Sequence, residues 1–503
     1  MSALKRPHLA CFAGLALAAC LAWAAASPAD PALNPLIAGP NAIAITSNYM
    51  RDVLFFLSSD TLAGRMTPST GLDTAALYLA SNLAQLGLEG GGDAPGTGDP
   101  KLGPLAPFLL HFALARSQIS SARLSLDGRS FNLGTDFTIT GVDADRHASG
   151  QLAFPSGETA AIMDGNDVLA LIHGGAQPRP PRSGYHVERF LPPAGSVPPQ
   201  VYAGAGLWEA LRKAQPGAVI DLTVSASTQH AQAEDVIAIL PGSDPVLRHQ
   251  YLVISAHLDH LGVGKPVDGD AIYNGADDDG SGSTALLALA RAYATGPPPR
   301  RSIAFIWHAG EEEGLWGSEY FTRFPTIALP GIITDLNMDM VGRSKPAGDT
   351  NAADARLTSA DEIYVIGPEV SSSDLEHTMD AVNAGDYRLQ LNHYYDRTDD
   401  PEQIFYRSDH FNYAAQGIPI IFFFDGVHRD YHRPGDEPQK IDYHKMQEVA
   451  RTVYAIGWRL ANQAAVPKIN AALPAPLVKA MTWARQQHTA DAARFHPPPP
   501  RFH

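Results

Sequence analysis

The chain has 503 residues, 45% of them hydrophobic and 18% charged, an ordinary globular composition that excludes a disordered protein. Its 37 Lys+Arg against 53 Asp+Glu leave a formal charge of -16, which argues against nucleic acid and anionic membrane surfaces as partners. The length allows two or three domains of roughly 150 residues each.

Residues 1–29 have the pattern of an export signal. Lys5 and Arg6 form a positive start, residues 9–19 an apolar stretch, and Ala24-Ala25-Ala26 a small-residue cleavage site. Leu17-Ala18-Ala19-Cys20 also resembles the lipobox of bacterial lipoproteins, so a lipid anchor at Cys20 is the alternative to a soluble periplasmic or secreted product. The apolar run continues through Leu21-Ala22-Trp23, which favours cleavage near Ala26. Both cysteines, Cys11 and Cys20, fall in this segment, so a metal in the mature protein must be held by His and carboxylates. No later apolar stretch is long enough to be a transmembrane anchor.

Residues 30–106 read as a helical part of the catalytic domain, with apolar residues at helical spacing over 50–57 and 75–84, then a Gly/Pro loop. Residues 107–235 change to short β-like runs such as 168–172 and 219–224, with one helix at 207–214, and read as a small β-rich insert. From 236 to 463 strands and helices alternate as in a parallel sheet, with apolar strands at 251–255, 302–307, 332–338, 363–366 and 418–424. The expected fold is therefore α/β, a doubly wound mostly parallel sheet flanked by helices, plus the β-rich insert. Residues 464–503 read as a C-terminal tail whose proline-rich end is disordered.

Charged clusters follow several of these strands. His257-Leu258-Asp259 follows the first, and Asp259 is placed to fix the imidazole tautomer. Asp277-Asp278-Asp279, between Gly275 and Gly280-Ser281-Gly282, precedes a helix; one carboxylate serves as a cap, and three exceed that need. Glu311-Glu312-Glu313 follows the next strand, where one carboxylate can hold a metal and another a reacting water. Asp339 ends a further strand, and Tyr431-His432 lies shortly after another. So many carboxylates beside core strands need a positive compensator, and His with carboxylates suits Zn²⁺. His-Glu-x-x-His, Gly-x-Ser-x-Gly and Walker A patterns are absent from the sequence.

In order, His257-Leu258-Asp259, Gly275 to Gly282, Glu311-Glu312-x-Gly-Leu-x-Gly-Ser, Asn337-Met338-Asp339 and Tyr431-His432 resemble the secreted co-catalytic di-zinc aminopeptidases. Arg407-Ser408-Asp409-His410 and Gly417-Ile418-Pro419 match the same family, and residues 107–235 loosely resemble its protease-associated insert. The resemblance implies two Zn²⁺ ions bridged by Asp278. His257 and Asp339 complete one ion's shell, and Glu312 and His432 the other's. Glu311 is then the base that activates the shared water and protonates the leaving amine, and Tyr431 steadies the oxyanion. Asp277 is the other register choice for the bridge. Peptides are the implied substrates. Relatives of similar ligand set include carboxypeptidases and glutaminyl cyclases, and metal-free receptors share the fold, so these stand as alternatives.

Overall fold

The computed structural model describes residues 39–502 apart from 95–98, 176, 178–181, 194–195, 216 and 386–388. The expected export signal and Cys20 lie outside the described residues.

Four strands, Tyr251–His257, Ser302–His308, Ile332–Met338 and Ile420–Phe424, are buried at every residue. Burial on both faces is why each reads as a continuous apolar run instead of alternating. They pair in parallel: Tyr251–His257 lies between Ser302–His308 and Ile332–Met338, with Ile420–Phe424 beyond. An antiparallel strand flanks each side of this block, Val219–Leu240 beside Ser302–His308 and Glu362–Ile366 beside Ile420–Phe424. The sheet is thus mixed, with a parallel centre, in an α/β fold. Helices Ser47–Leu57, Gly280–Thr295 and Tyr443–Asn462 pack together on one side. Trp316–Arg323, His410–Ala415 and Ala475–Phe495 form a second group against the sheet. Because the four central strands run the same way, their C-terminal ends meet at one edge.

Gly280–Thr295 is buried nearly all round, and its small residues allow that. A Cβ on Gly282 would stand 2.3 Å from the Met338 carbonyl oxygen. This close approach brings the helix N-terminus, and the three aspartates before it, against the strand ends.

The expected boundary at residue 235 falls inside a strand. Val219–Leu240 runs unbroken from the central sheet into the β-rich part and pairs with Leu109–Leu126 from Val236↔Leu109 to Ile220↔Leu126. Its outer half alternates, with Ile220, Leu222 and Val224 buried in a second core that includes Leu124, Phe131, Ile162, Ile172 and Leu207. These two arms therefore tie the second core to the first through backbone pairing.

The tail differs from the expectation. Ala475–Phe495 is a helix, and its Asp491 takes bonds from the buried Arg323 guanidinium at 2.6 and 2.9 Å. Beyond the prolines, Phe502 exchanges backbone bonds with Thr326 and Ala328. A partner charge at Arg323 and backbone partners at Thr326 and Ala328, elsewhere in the chain, order it. Among the described residues no helix is long and apolar enough to cross a membrane.

Candidate active site

The three consecutive aspartates point three ways. Asp279 caps the helix: its carboxylate accepts N–H bonds from Gly282 at 2.9 Å, Met340 at 3.1 Å and His257 at 3.1 Å. One side chain thus joins a helix start to two strand ends. Asp277 turns the other way, accepting from the Gly342 N–H at 2.8 Å and facing His428 Nε2 at 3.2 Å. Asp278 alone faces the remaining expected site residues, held by a backbone whose Asp277 and Asp278 N–H groups both donate to Asp436.

Around Asp278 lie two sets of candidate ligand atoms. His257 Nε2 is 3.3 Å from Asp278 Oδ1 and 3.5 Å from Asp339 Oδ1. His432 Nε2 is 3.1 Å from Asp278 Oδ2 and 3.1 Å from Glu312 Oε2. In a tetrahedral zinc site with legs of about 2.0–2.1 Å, neighbouring ligand atoms stand roughly 3.3 Å apart. Both sets have that spacing, and each uses a different oxygen of Asp278. His257 Nε2 and Asp278 Oδ2 are buried without hydrogen-bond partners. Buried polar atoms are rarely left so, and the donor set of nitrogen and carboxylate oxygen fits divalent zinc.

Glu311 and Glu312, adjacent in sequence, sit in opposite electrostatic surroundings. Burial and Asp278 push Glu312 up, but His260 and His432 outweigh them and hold it at about 2. Burial pushes Glu311 well above the usual carboxylate range, and Glu312, Asp339 and Asp409 add to it against His257. Glu312 thus stays an anion, while Glu311 takes a proton readily. Glu311 Oε2 is 3.9 Å from His257 Nε2, and its backbone N–H donates to Asp259 Oδ1 at 3.1 Å. That bond corrects the expectation for Asp259. Its carboxylate lies 3.7 Å from His257 Nδ1, beyond hydrogen-bond range, and its backbone oxygen, at 3.2 Å, is the atom that fixes the imidazole. The carboxylate is occupied instead in holding the Glu311 turn.

Next to Asp278, Glu311 and Asp339 is a narrow pocket with apolar walls from Met340, Ile404, Phe422, Phe424 and Val427. Tyr431 and Arg407 complete it, and Arg407 donates to the Tyr431 hydroxyl at 3.0 Å. The Tyr431 ring stacks on His432 with centroids 3.8 Å apart. Burial, with Asp278 and Glu312 nearby, raises the Tyr431 phenol, so its proton stays on. His432 itself holds a left-handed backbone, φ 57°, uncommon for a non-glycine residue and typical of functional loops.

The structure therefore brings together all six expected residues, His257, Asp278, Glu311, Glu312, Asp339 and His432, with Tyr431 at the rim. It also adds residues the motif reading passed over. His260, one position past His257-Leu258-Asp259, has Nδ1 2.7 Å from Glu312 Oε1 and 3.8 Å from Asp278 Oδ2. The 2.7 Å separation is shorter than the spacing of two ligands on one ion and suits a charged contact that orients Glu312. A second histidine within three residues of the first was its signal. His428 and Asp436 steady Asp277 and the Asp278 backbone, and nothing local in the sequence marks them.

Residues 235–457 match the model of peptidase family M28. Over 234 residues the chain is 28% identical to a probable leucine aminopeptidase of Trichophyton verrucosum (strain HKI 0517), a match covering 44% of this chain and 57% of that protein. A probable zinc metalloprotease of Pyrenophora teres f. teres (strain 0-1) is 28% identical over 239 residues, 46% of this chain and 49% of its own length. The chain thus spans about half the length of these curated relatives. Among solved structures, an aminopeptidase from Aneurinibacillus sp. strain AM-1 superposes with a TM-score of 0.49 at 18% identity, over 86% of this chain and 98% of that one.

Proposed function

We propose that this chain, whose residues 235–457 match the model of peptidase family M28, is an exported zinc aminopeptidase that hydrolyses the N-terminal bond of peptides. The observation that carries this reading is the pair of ligand sets sharing the two oxygens of Asp278, with the Glu311 carboxylate beside them. The curated relatives named leucine aminopeptidase and zinc metalloprotease support it. His257 and Asp339 would hold one zinc ion, Glu312 and His432 a second, and Asp278 both. Bound zinc supplies Lewis acidity, which polarises a carbonyl and makes water a better nucleophile at neutral pH.

The remaining chemistry belongs to the side chains. Glu311 takes a proton from the attacking water on a carboxylate oxygen and hands it to the departing amine nitrogen. Tyr431, kept protonated and steadied by Arg407, donates its hydroxyl hydrogen to the oxygen that gains charge as the carbonyl carbon becomes tetrahedral. His260 orients Glu312, and Asp259 fixes both the Glu311 turn and, through its backbone oxygen, the His257 ring. The walls of Met340, Ile404, Phe424 and Val427 exclude water around an apolar side chain on the first residue of the peptide.

The export signal in residues 1–29 makes the periplasm or the exterior the working compartment, with a Cys20 lipoprotein as the alternative. The decisive experiment is a panel of aminoacyl p-nitroanilides, N-acylated peptides and peptides with N-terminal Gln, with and without a chelator. Cleavage of the free-amine apolar substrates, lost on chelation and restored by zinc, is expected. Turnover confined to N-acylated peptides would indicate a carboxypeptidase, and release of ammonia from N-terminal Gln a cyclase.

A further inference from the structure

Strand Glu362–Ile366 runs opposite to Ile420–Phe424, with Tyr364 beside Phe424 and Ile366 beside Phe422. Its C-terminal end therefore faces away from the catalytic edge. The short strand Gln390–Asn392 runs parallel to it, so the residues after both strands emerge together at the far end of the sheet. There the chain gathers Glu369, His393 and Asp396, whose ligand atoms all lie within 4.8 Å of one another.

His393 Nδ1 is 3.4 Å from Glu369 Oε1 and 3.6 Å from Asp396 Oδ2. Those separations exceed the roughly 2.7–2.9 Å of a charge-assisted hydrogen bond. They match the 3.3 and 3.5 Å spacings of His257 with Asp278 and Asp339 in the catalytic cluster. His393 Nδ1 is, like His257 Nε2, buried with no hydrogen-bond partner. The Asp396 carboxylate is preset, because Oδ1 accepts the Gly367 N–H at 2.7 Å and Oδ2 the Glu369 N–H at 2.8 Å. The imidazole nitrogen thus faces two carboxylate oxygens across a gap of ionic size.

We propose that Glu369, His393 and Asp396 form a separate divalent metal site that takes zinc or a similar borderline ion. One imidazole and two carboxylates suit such an ion, whereas Ca²⁺ calls for six to eight oxygens and Mg²⁺ for octahedral oxygen ligation. The Glu369 side chain is half exposed, which leaves the remaining coordination position to water. The role is structural. The ion would pin the start of the segment 393–407 to the turn at Gly367, and the other end of that segment places Ile404 and Arg407 in the pocket beside Asp278.

The test is metal content. The whole chain is loaded with zinc, dialysed and counted by plasma mass spectrometry, beside His393→Asn and Glu369→Gln. Each variant should lose one equivalent of zinc relative to the parent. Each should also show a smaller rise in melting temperature when zinc is returned to metal-stripped protein. Glu369 is exposed enough that its variant folds even where the His393 variant does not. Zinc counts in Glu369→Gln equal to the parent's would overturn the proposal and leave the cluster as a histidinium paired with two carboxylates.

Discussion

At the catalytic edge of the central sheet the buried side chains are charged and short of hydrogen-bond partners; in the outer half of the β arms they are aliphatic, and the charged ones face outward. His257 and Asp278 each bury an unpartnered polar atom, while Ile220, Leu222 and Val224 alternate with Asp221 and Thr223. The two regions are continuous through one strand, Val219–Leu240. The difference teaches that stability and chemistry are drawn from different parts of this chain. Apolar burial is favourable by itself. Clustered carboxylates are unfavourable until a cation compensates them, so the catalytic edge is costly to the fold and useful only for its ligand.

The largest expected effect lies at that edge. Glu311→Gln should cut turnover by roughly 10²–10⁴-fold while keeping the metal, measured by steady-state kinetics beside metal content. Near-normal kcat would remove Glu311 from its role, and loss of metal would reverse the assignments of Glu311 and Glu312. Glu312→Gln should weaken metal binding, because it removes an anion that His260 and His432 hold charged. A chelator titration showing an unchanged metal affinity would contradict that.

In the arms the same size of side-chain change should act on stability alone. Leu222→Ala empties a fully buried position in the second core and should cost about 2–5 kcal/mol, read as an early melting step of the β-rich part. Turnover per folded molecule should hold. A variant that lost zinc and activity together with that step would show that the two regions unfold as one, and would break the comparison.

The smallest effect is set at the junction, where Glu234 precedes the buried Asp235. Burial, with Asp73 adding to it, pushes the Glu234 carboxyl from 4.5 up to about 7. The folded state then binds this proton more tightly than the unfolded chain. Its contribution is present below about pH 4.5 and is lost as pH rises through about 7. Glu234→Gln removes that loss. Melting curves at about pH 5 and about pH 8 should show the parent falling relative to the variant at the higher pH. An equal pH dependence in both would mean that Glu234 is not held neutral by burial.

The sequence by itself determined the α/β class and the strands that carry the site. Runs such as Tyr251 to Ser255 and Ile332 to Met338 are apolar throughout, and only a sheet covered on both faces makes such runs. It also marked which residues cluster, because His257, Glu311 and Asp339 follow those strands directly and parallel strands end at a common edge. Only the tertiary structure decided what each member of a cluster does. Three consecutive aspartates are alike in composition, and a backbone that turns at each residue sends one to a helix cap, one to His428 and one to the site. Glu311 and Glu312 differ by the histidines near each, contributed by residues 257, 260 and 432 from distant parts of the chain. The long arms and the ordered tail escaped the sequence for the same reason. Ser227 to Asp235 has little strand character of its own and is held by pairing with Leu109–Leu126, and the tail helix is held by Arg323, 168 positions from its partner Asp491. Local pattern reports what a segment buries; contacts of long range decide which side chain meets which.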